Sequence, residues 1–388
     1  MRALCIAGAA LALLLLAGFC ALPRIADRTM NAVARPADPL AISPAARALH
    51  AQLRLADLHA DPLLWPRDLL ARAGAGQVDV PRLIEGRVVL QVFGVATQSP
   101  WGLNFERNSA DSFDMNTPLA IASAWGPRTW TSRLARALHQ ADALREAAAE
   151  SDGKLVLIAT RGDLARHLAA HAQDPERTAG FLGLEGMHAL EGRVESIDEL
   201  HAAGFRMAGF AHFFDNPFAG SSAGEEKYGL SELGRAALAR IEQLGMIADL
   251  AHTSPATIRD VLAQATRPVV VSHTGVQATC PGPRNLSDDE IRGIAANGGI
   301  IGIGAFEGAV CDTAPRAVAR AMKHVRDLVG IEHVALGSDF DGAVRTAFDI
   351  SETPLLVDAL LAEGFSADEV RLALGENALA LFAQLLPE

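Results

Sequence analysis

The sequence predicts an α/β protein folded as a (β/α)8 barrel of the TIM type. Short apolar runs, typical of buried strands, alternate along the chain with amphipathic stretches typical of helices, which implies repeated βα units and a parallel sheet. Runs such as "PVVVSH" (268–273) lack polar alternation, which favours burial on both faces. Nine candidate strands are one more than a barrel needs, so we expect the short run "LVLIA" (155–159) to be peripheral.

Helical patterns and one long insertion lie between the candidate strands. Residues 231–245 begin with Ser231, a typical N-cap residue, and end with a glycine, and segments 254–265 and 315–330 follow the same logic. Residues 97–127 are irregular, and we expect them to roof the site, because the loops after the strands build the site of a barrel. We expect the strands to end at Asp57–His59, Val95, Ala159, Glu185, His212, His252, His273, Ala305 and Asp339.

The chain is expected to contain three regions. Residues 46–388 show no internal boundary, which predicts a single barrel domain. Residues 3–22 form an apolar run behind Arg2, so residues 1–22 are expected to be a secretory signal peptide or an uncleaved membrane anchor. Residues 23–45, rich in proline and alanine, are expected to link it to the barrel. This organisation predicts an exported protein on the extracytoplasmic, periplasmic side, held at the inner membrane if the anchor is retained.

Composition excludes some classes of function. Half of the residues are hydrophobic, so the chain can bury a sizeable core and is neither low-complexity nor disordered. There are 34 lysines and arginines against 46 aspartates and glutamates, which gives a net charge of −12. This balance argues against nucleic acid as a partner, because contact with phosphates favours a basic surface.

Ionisable side chains follow six of the candidate strands. Because all strands of a parallel barrel end at the same rim, these side chains should converge. A lone histidine after a strand is more often structural, but six strands that end this way by accident would be exceptional. Histidines and carboxylates without a cysteine cluster are typical of a hydrolytic metal site with nitrogen and oxygen ligands. The residues are His59 with Asp61, Glu185, His212, His252, His273 and Asp339.

The spacing of these residues suggests two neighbouring metal ions. His59 and Asp61, at alternate positions of one strand, can bind one ion, and His252 and His273, from neighbouring strands, can bind another. Glu185 has two carboxylate oxygens and can bridge the ions. Two divalent ions that share a water lower its pKa and yield a hydroxide nucleophile near neutral pH.

Further polar residues are candidates for other roles. His212 can donate to the oxyanion of a tetrahedral intermediate, and Asp339 can move a proton to the leaving amine. Asp57, one step before His59 on the same face of its strand, is expected to orient its neighbours rather than bind metal. Arg284 can bind a substrate carboxylate in a bidentate fork. An ion pair of this arginine with one of the aspartates in "SDDE" (287–290) is an alternative.

The motifs that carry these residues resemble those of the membrane dipeptidase (renal dipeptidase) family, the M19 peptidases of the amidohydrolase superfamily. The resemblance covers most of residues 50–388, and the motif "HFFDNPFAGSS" is closer to the bacterial branch. The motifs, which occur in the family's order, are "DLHAD", "GLEGMHAL", "AHFFDNPFAGSS", "GLSELGR", "GMIADLAHTS", "VVVSHT", "CPGPRNLSDDEI", "GSDFDG" and "GENALALF".

The resemblance implies a TIM-like barrel of the metal-dependent hydrolase type with two Zn²⁺ ions per subunit. It implies that His59, Asp61 and Glu185 bind one ion. It implies that Glu185, His252 and His273 bind the other, so that Glu185 bridges the pair. Cobalt or manganese would also suit these nitrogen and oxygen ligands.

The resemblance also implies roles for residues outside the metal set. It implies that His212 contacts the substrate and the oxyanion, that Arg284 contacts the substrate carboxylate, and that Asp339 is the proton shuttle. From the count alone, Cys280 and Cys311 are equally compatible with a disulfide and with two separate buried thiols. The resemblance favours the disulfide, and a homodimer is a further family expectation.

The hypothesis that follows is an exported or membrane-anchored zinc dipeptidase, which hydrolyses dipeptides by attack of a hydroxide that bridges the two metals. One alternative is a dimetal amidohydrolase that opens another small amide, a lactam or a lactone. Another is a catalytically dead, anchored binding protein, for which the loss of a ligand would be the signature. The complete ligand set argues against the last alternative.

Overall fold

The computed structural model describes residues 18–36 and 40–388 and confirms the predicted (β/α)8 barrel. All strand pairings are parallel, and the sheet closes where β2 pairs with β4. The strands are β1 (Leu55–Ala60), β2 (Val88–Ala96), β3 (Leu155–Leu157), β4 (Thr178–Glu185), β5 (Phe205–Gly209), β6 (Ile247–Asp249), β7 (Val270–Thr274), β8 (Ile300–Ile303) and β9 (Val334–Leu336).

Helices surround this sheet. The α-helices are α1 (residues 18–30), α2 (Pro44–His50), α3 (Val80–Glu85), α4 (Asn116–Ala122), α5 (Arg133–Glu150), α6 (Arg161–His171), α7 (Ser196–Ala202), α8 (Glu232–Gln243), α9 (Pro255–Leu262), α10 (Asp288–Ala296), α11 (Glu307–Val310), α12 (Pro315–Val329), α13 (Pro354–Ala362), α14 (Ala367–Arg371) and α15 (Asn377–Leu385). Short 3₁₀ turns cover Pro62–Leu64, Pro127–Trp130, Met187–Leu190, Ile331–His333 and Ile350–Glu352, and a π-helical turn covers Leu372–Glu376.

The peripheral strand is the one predicted from its length. β3 pairs only with the first residues of β4, through Leu155 opposite Thr178, whereas β5 pairs with β4 further along, through Leu182 opposite Phe205. The remaining eight strands complete the barrel. Apart from β3, every strand residue is buried, as the apolar runs without polar alternation predicted.

Local signals fix the helix starts. The side chain of Ser231 accepts a hydrogen bond from the backbone of Gly234 and caps α8 as predicted. Ser254 caps α9 in the same way. Ser287 forms a capping box with Glu290 at the start of α10. These caps start the helices directly after the loops that carry the site residues.

Five strands end earlier than predicted, β3 and β8 by two residues and the other three by three residues. β5, β6 and β9 each stop three residues before the histidine or aspartate that we expected at the end of the strand. At His252 and Asp339 the backbone is left-handed, with φ of 62° and 60°, which is incompatible with an extended strand. These two residues therefore lie on sharp turns just beyond the ends of their strands. Such backbone strain is common at functional sites.

The N-terminal region is only partly described. Of the apolar run 3–22, residues 3–17 lie outside the described residues, so the expected signal peptide or anchor stays a prediction. None of the helices in 18–36 and 40–388 has both the length and the apolar character that crossing a membrane requires. The expected linker 23–45 begins as helix α1, and it touches the barrel where Asp27 pairs with Arg67. The division of the chain into three regions stays a prediction.

Residues 97–127 are irregular except for α4, and a buried arginine anchors them. Arg136 on α5 donates hydrogen bonds to the carbonyl oxygens of Thr97, at 2.7 Å, and Thr129, at 2.6 Å. It also contacts the carboxylate of Asp114 at 2.5 Å and the hydroxyl of Thr117 at 2.6 Å. One guanidinium therefore ties the start, middle and end of the insertion to the barrel.

We predict that Gly375→Ala destabilises the fold. An alanine Cβ would lie 1.8 Å from the carbonyl oxygen of Arg54, directly before β1, and neither backbone can move freely. The free energy of unfolding, measured by urea denaturation, should fall by about 2–3 kcal/mol. At Gly126 a Cβ meets open space and φ is −56°, so Gly126→Ala should change it by less than about 0.5 kcal/mol. Equal losses in both variants would contradict this packing argument.

Candidate metal centre

The side chains predicted to converge do so at the rim formed by the carboxyl ends of the strands. They come from the ends of six barrel strands, and all of them are buried. The residues are His59, Asp61, Glu185, His212, His252, His273 and Asp339.

Glu185, the last residue of β4, is the centre of the cluster. Its Oε1 atom lies 3.1 Å from Nε2 of His252, 3.4 Å from Nε2 of His273 and 3.5 Å from Nε2 of His59. Its Oε2 atom lies 3.4 Å from Nε2 of His212. One carboxylate therefore meets imidazoles from four strand ends, an arrangement that is compatible with a bridging role.

Both predicted ligand sets are compact. The donor atoms of His59, Asp61 and Glu185 lie within 4.8 Å of one another, and His59 Nε2 is 3.1 Å from Asp61 Oδ2. In the second set, the Nε2 atoms of His252 and His273 are only 2.9 Å apart, and both are close to Glu185. Other groupings are also compact, since Glu185, His212 and His252 satisfy the same criterion.

Two donor atoms of the cluster, Nε2 of His273 and Oδ1 of Asp61, can bind a cation. His273 can donate from Nδ1 to the hydroxyl of Ser272 at 3.0 Å, which leaves a lone pair on Nε2 that faces His252. Oδ1 of Asp61 is buried without a hydrogen-bond partner in the described structure. Facing imidazole nitrogens and an unpaired carboxylate oxygen are unfavourable unless a positive charge lies between them. The residues therefore fit a divalent metal site with nitrogen and oxygen ligands.

Burial and mutual repulsion perturb the titration of the carboxylates. The pKa of Glu185 is well above its usual range because of burial and the nearby charge of Asp61. Burial also raises the pKa of Asp339 to about 7, although His59 opposes the rise. Burial lowers the pKa of His252 and His273 well below the usual value, so both rings are neutral and can act as ligands.

His59 behaves differently from the other rings of the cluster. Burial opposes its protonation, but the carboxylates of Asp61 and Glu185 outweigh this effect and hold its pKa well above the usual value. The same carboxylates would stabilise a metal cation at that point even more strongly than a proton on the ring.

A hydrogen bond at Nδ1, the ring nitrogen that does not face Glu185, holds His212 in place. Nδ1 lies 3.2 Å from the carbonyl oxygen of Gln98 and donates to it, which fixes the ring. Burial lowers the pKa of His212 to about 4. A neutral ring that donates from Nδ1 presents a lone pair at Nε2, so His212 can donate to an oxyanion only in its protonated form.

Arg284 is buried, and it has no carboxylate partner within residues 18–36 and 40–388. Its Nη2 donates to the carbonyl oxygen of His273 at 2.9 Å, and its guanidinium lies 5.9 Å from the ring centre of Phe306. Burial lowers its pKa to about 10, so it remains cationic at neutral pH. The alternative ion pair is not formed, because Asp288 pairs with His324 and Asp289 pairs with Arg292.

A disulfide joins Cys280 and Cys311, as the resemblance implied. It connects the loop after β7, which carries Arg284, to the end of α11 after β8. Asn285 strengthens the same connection, because its side chain donates to the carbonyl oxygens of Cys280, at 2.8 Å, and Gly308, at 3.0 Å. The loop that presents the arginine is therefore fixed on both sides.

Two aspartate–serine pairs support the cluster from below, and the sequence argument identified only one of the four residues. Asp57 accepts hydrogen bonds from the backbone and the hydroxyl of Ser338, both at 2.7 Å. Asp249 accepts from the backbone of Ser272 at 2.8 Å and from its hydroxyl at 2.6 Å. Each serine directly precedes a cluster residue, a signal that was present in the sequence.

A cavity of about 270 Å³ opens onto this cluster. Asp61, Glu185, His212, His252 and Asp339 form its floor. Residues of the insertion line one part of the wall, as the roofing role predicted for segment 97–127 requires. They are Ser99, Leu103 and Phe105.

Comparison with known proteins identifies the family. Residues 44–385 match the model of the membrane dipeptidase family, peptidase family M19. The chain belongs to this family. Members of this family are metal-dependent, and the cluster above provides the candidate metal-binding residues here.

Relatives of this membrane dipeptidase family member include fungal proteins. Dipeptidase aclJ from Aspergillus oryzae is 37% identical over 221 residues, 54% of this chain and 52% of the relative. Dipeptidase verJ from Clonostachys rogersoniana is 36% identical over 210 residues, 52% of this chain and 54% of the relative. The chain thus spans about half the length of the curated relatives it matches.

Solved structures share the fold. The probable dipeptidase PvdM from Pseudomonas aeruginosa has a TM-score of 0.73 at 20% identity, over 88% of this chain and 98% of that chain. A metallo peptidase from Rhodobacter sphaeroides, liganded with a phosphinate mimic of the dipeptide L-Ala-D-Ala, has a TM-score of 0.67 at 23% identity. That likeness covers 86% of this chain and 99% of that chain. At these identities, the likenesses show a common fold.

We predict that Asp57→Asn weakens metal binding without abolishing it. The asparagine keeps the shape of the side chain but loses one of two acceptor oxygens for Ser338, so the turn that carries Asp339 loosens. Metal affinity, measured by competition with a chromophoric chelator, should fall about 10- to 100-fold. The control is Asp163→Asn at the cap of α6, which should leave affinity unchanged. Unchanged affinity in Asp57→Asn would refute the positioning role.

Proposed function

We propose that this chain is a zinc-dependent dipeptidase. The observation that carries the proposal is the pairing of a compact histidine–carboxylate cluster with a buried cation, Arg284, that has no carboxylate partner among the described residues. A cluster of this kind suits hydrolysis of an amide, and the arginine suits a substrate with a free carboxylate. The size of the cavity, about 270 Å³, suits a short substrate.

In this proposal the cluster holds two divalent ions. His59, Asp61 and Glu185 hold one, and Glu185, His252 and His273 hold the other. Ions held there would supply an activated water and polarise the scissile carbonyl. Zinc suits the imidazole and carboxylate ligands of the cluster.

Asp339 is the proposed proton shuttle. Its Oδ1 lies 3.9 Å from Nε2 of His59, at the edge of the cluster, and it lines the cavity. A carboxyl group whose pKa is about 7 can both accept and release a proton near neutral pH. It would take the proton from the attacking water and deliver it to the leaving amine. His212 is the proposed contact for the oxyanion, to which it would donate from Nε2 when it is protonated.

Arg284 is the proposed site for the C-terminal carboxylate of the substrate. A buried guanidinium whose Nε has no hydrogen-bond partner among the described residues gains from a carboxylate, because the ion pair would form away from water. The solved neighbour that binds a mimic of L-Ala-D-Ala supports a dipeptide substrate and tolerance of a D-residue at the C-terminal position. The two fungal relatives named as dipeptidases support the same activity.

The cellular setting is proposed from the sequence. The apolar run 3–22 behind Arg2 supports export to the periplasmic side, with retention at the inner membrane if the run is not cleaved. We also propose a homodimer, a family expectation. N-terminal sequencing of the native protein and its mass by light scattering test these two points.

We predict that the purified chain loaded with Zn²⁺ releases amino acids from dipeptides, and that Asp339→Asn does so 10²- to 10⁴-fold more slowly, because the amide cannot accept the proton. The measurement is kcat on a dipeptide panel, with bound metal quantified. Removal of metal with a chelator should abolish turnover, and added Zn²⁺ should restore it. Asp368→Asn, on the exposed side of α14, is the control. Full turnover by a metal-loaded Asp339→Asn enzyme would refute the shuttle.

We predict that Arg284→Ala impairs only substrates with the matching carboxylate. kcat/KM for a dipeptide should fall about 10- to 100-fold, because a hydrogen-bonded charge pair is lost. kcat/KM for the same dipeptide with a C-terminal amide should hardly change. Arg292→Ala, which removes an exposed arginine of α10, is the control. N-acyl amino acids and lactones belong in the same assay, since preferential turnover of these compounds would favour the other amidohydrolase activities.

A further inference from the structure

The segment of residues 18–36 lies outside the region 44–385 that matches the family, yet it packs on the rim of the barrel. Asp27 on α1 is 3% exposed and Asn31 is fully buried. The side-chain amide of Asn31 donates to Asp27 Oδ1 at 2.9 Å. Buried polar groups of this kind indicate a specific docking position.

An arginine whose side chain is 10% exposed connects this segment to two loops of the site. Oδ2 of Asp27 lies 2.9 Å from Nε of Arg67, and Nη2 of Arg67 lies 2.6 Å from Oδ2 of Asp341. Arg67 follows β1 by a few residues, and Asp341 follows Asp339 by two. The charge of the arginine is therefore balanced from α1 and from the loop after β9, which makes separation of the three elements costly.

The residues after α1 make a second attachment to the loop after β9. The backbone of Ala34 donates to the carbonyl oxygen of Thr346 at 2.7 Å, and the backbone of Thr346 donates to that of Ala32 at 3.2 Å. Arg35 then pairs with Glu352 at 2.8 Å. The end of α1 is thus fixed between two attachments, one through Asp27 and one through Thr346.

This docking places Met30 in the wall of the cavity that opens onto the candidate metal centre. Leu64 and Val344, from the loops after β1 and β9, line the cavity together with it. Met30 is 44% exposed, as expected for a residue at the mouth of a cavity rather than in the core. Leu103 and Phe105 of the insertion are further apolar wall residues.

Outside the cluster itself, the described residues that line the cavity include no charged side chain, and Ser99 is their one polar side chain. A charged substrate side chain would lose its hydration there without gaining an ion pair. An apolar substrate side chain would gain by burial against methionine, leucine and phenylalanine.

We propose that the N-terminal segment 18–36 is a specificity element, and that Met30 selects dipeptides with a bulky apolar side chain. The inference rests on the proposed dipeptidase activity and adds its substrate class. Met30 is a wall residue and takes no part in bond cleavage.

The test compares wild-type enzyme with Met30→Ala, Met30→Leu and Ile25→Ala. Ile25 lies on the same helix and is 54% exposed, and it provides the matched control. kcat/KM is measured for Ala-Ala, Leu-Ala, Ala-Leu, Lys-Ala and Ala-Lys with the metal-loaded, full-length chain. In Met30→Ala the preference for leucine over alanine should fall about 10-fold at one of the two positions, because the side chain loses its apolar contact. Met30→Leu and Ile25→Ala should keep the wild-type preference.

The outcomes separate this inference from the proposed activity. Hydrolysis of none of the dipeptides by the metal-loaded wild-type enzyme would overturn the dipeptidase proposal itself. Wild-type activity combined with an unchanged leucine preference in Met30→Ala would overturn the role of Met30 alone. A wild-type preference for the lysine dipeptides over the leucine dipeptides would also overturn it.

Discussion

The carboxylate of Glu185 sits among four imidazoles that reach it from the ends of β1, β5, β6 and β7, and the arrangement of the rim depends on this convergence. Such a group of buried donors is unfavourable without a cation, because carboxylates lose hydration and facing nitrogens repel. The raised pKa of Glu185 and the lowered pKa of His252 are two signs of the same imbalance. A divalent ion would relieve both, because it would supply the positive charge that these buried donor atoms lack.

Much of the surrounding structure holds this unfavourable cluster in place. The hydrogen bonds from Ser338 to Asp57 and from Ser272 to Asp249 join neighbouring strands directly below the site. The same serine hydroxyl that donates to Asp249 can accept from His273 and fix its tautomer. A carboxylate, a hydroxyl and an imidazole in series are a common way to orient a metal ligand. These hydrogen bonds thus hold the candidate metal ligands in position before any substrate binds.

Several segments around the site are anchored to the barrel by single residues or by a disulfide. Arg136 holds the insertion after β2, the Cys280–Cys311 disulfide holds the loop with Arg284, and Arg67 holds both α1 and the loop after β9. In each case a covalent or charged connection fixes a segment that lies outside the barrel sheet. Catalytic donors on strand ends and recognition residues on anchored loops can therefore vary separately, as barrel enzymes generally allow.

The sequence by itself determined the barrel, its peripheral strand and the seven residues of the cluster. These follow from local pattern, because apolar runs mark strands and a parallel barrel sends every strand end to one rim. The sequence did not show that His252 and Asp339 lie beyond their strands on left-handed turns. It also did not show the partners of Arg67, or that Met30 lines the cavity. Only the tertiary structure decided these. Contacts such as the hydrogen bond of Ser338 with Asp57, 281 residues apart, form because the closed sheet brings distant segments together, and they produce no periodic pattern in the sequence.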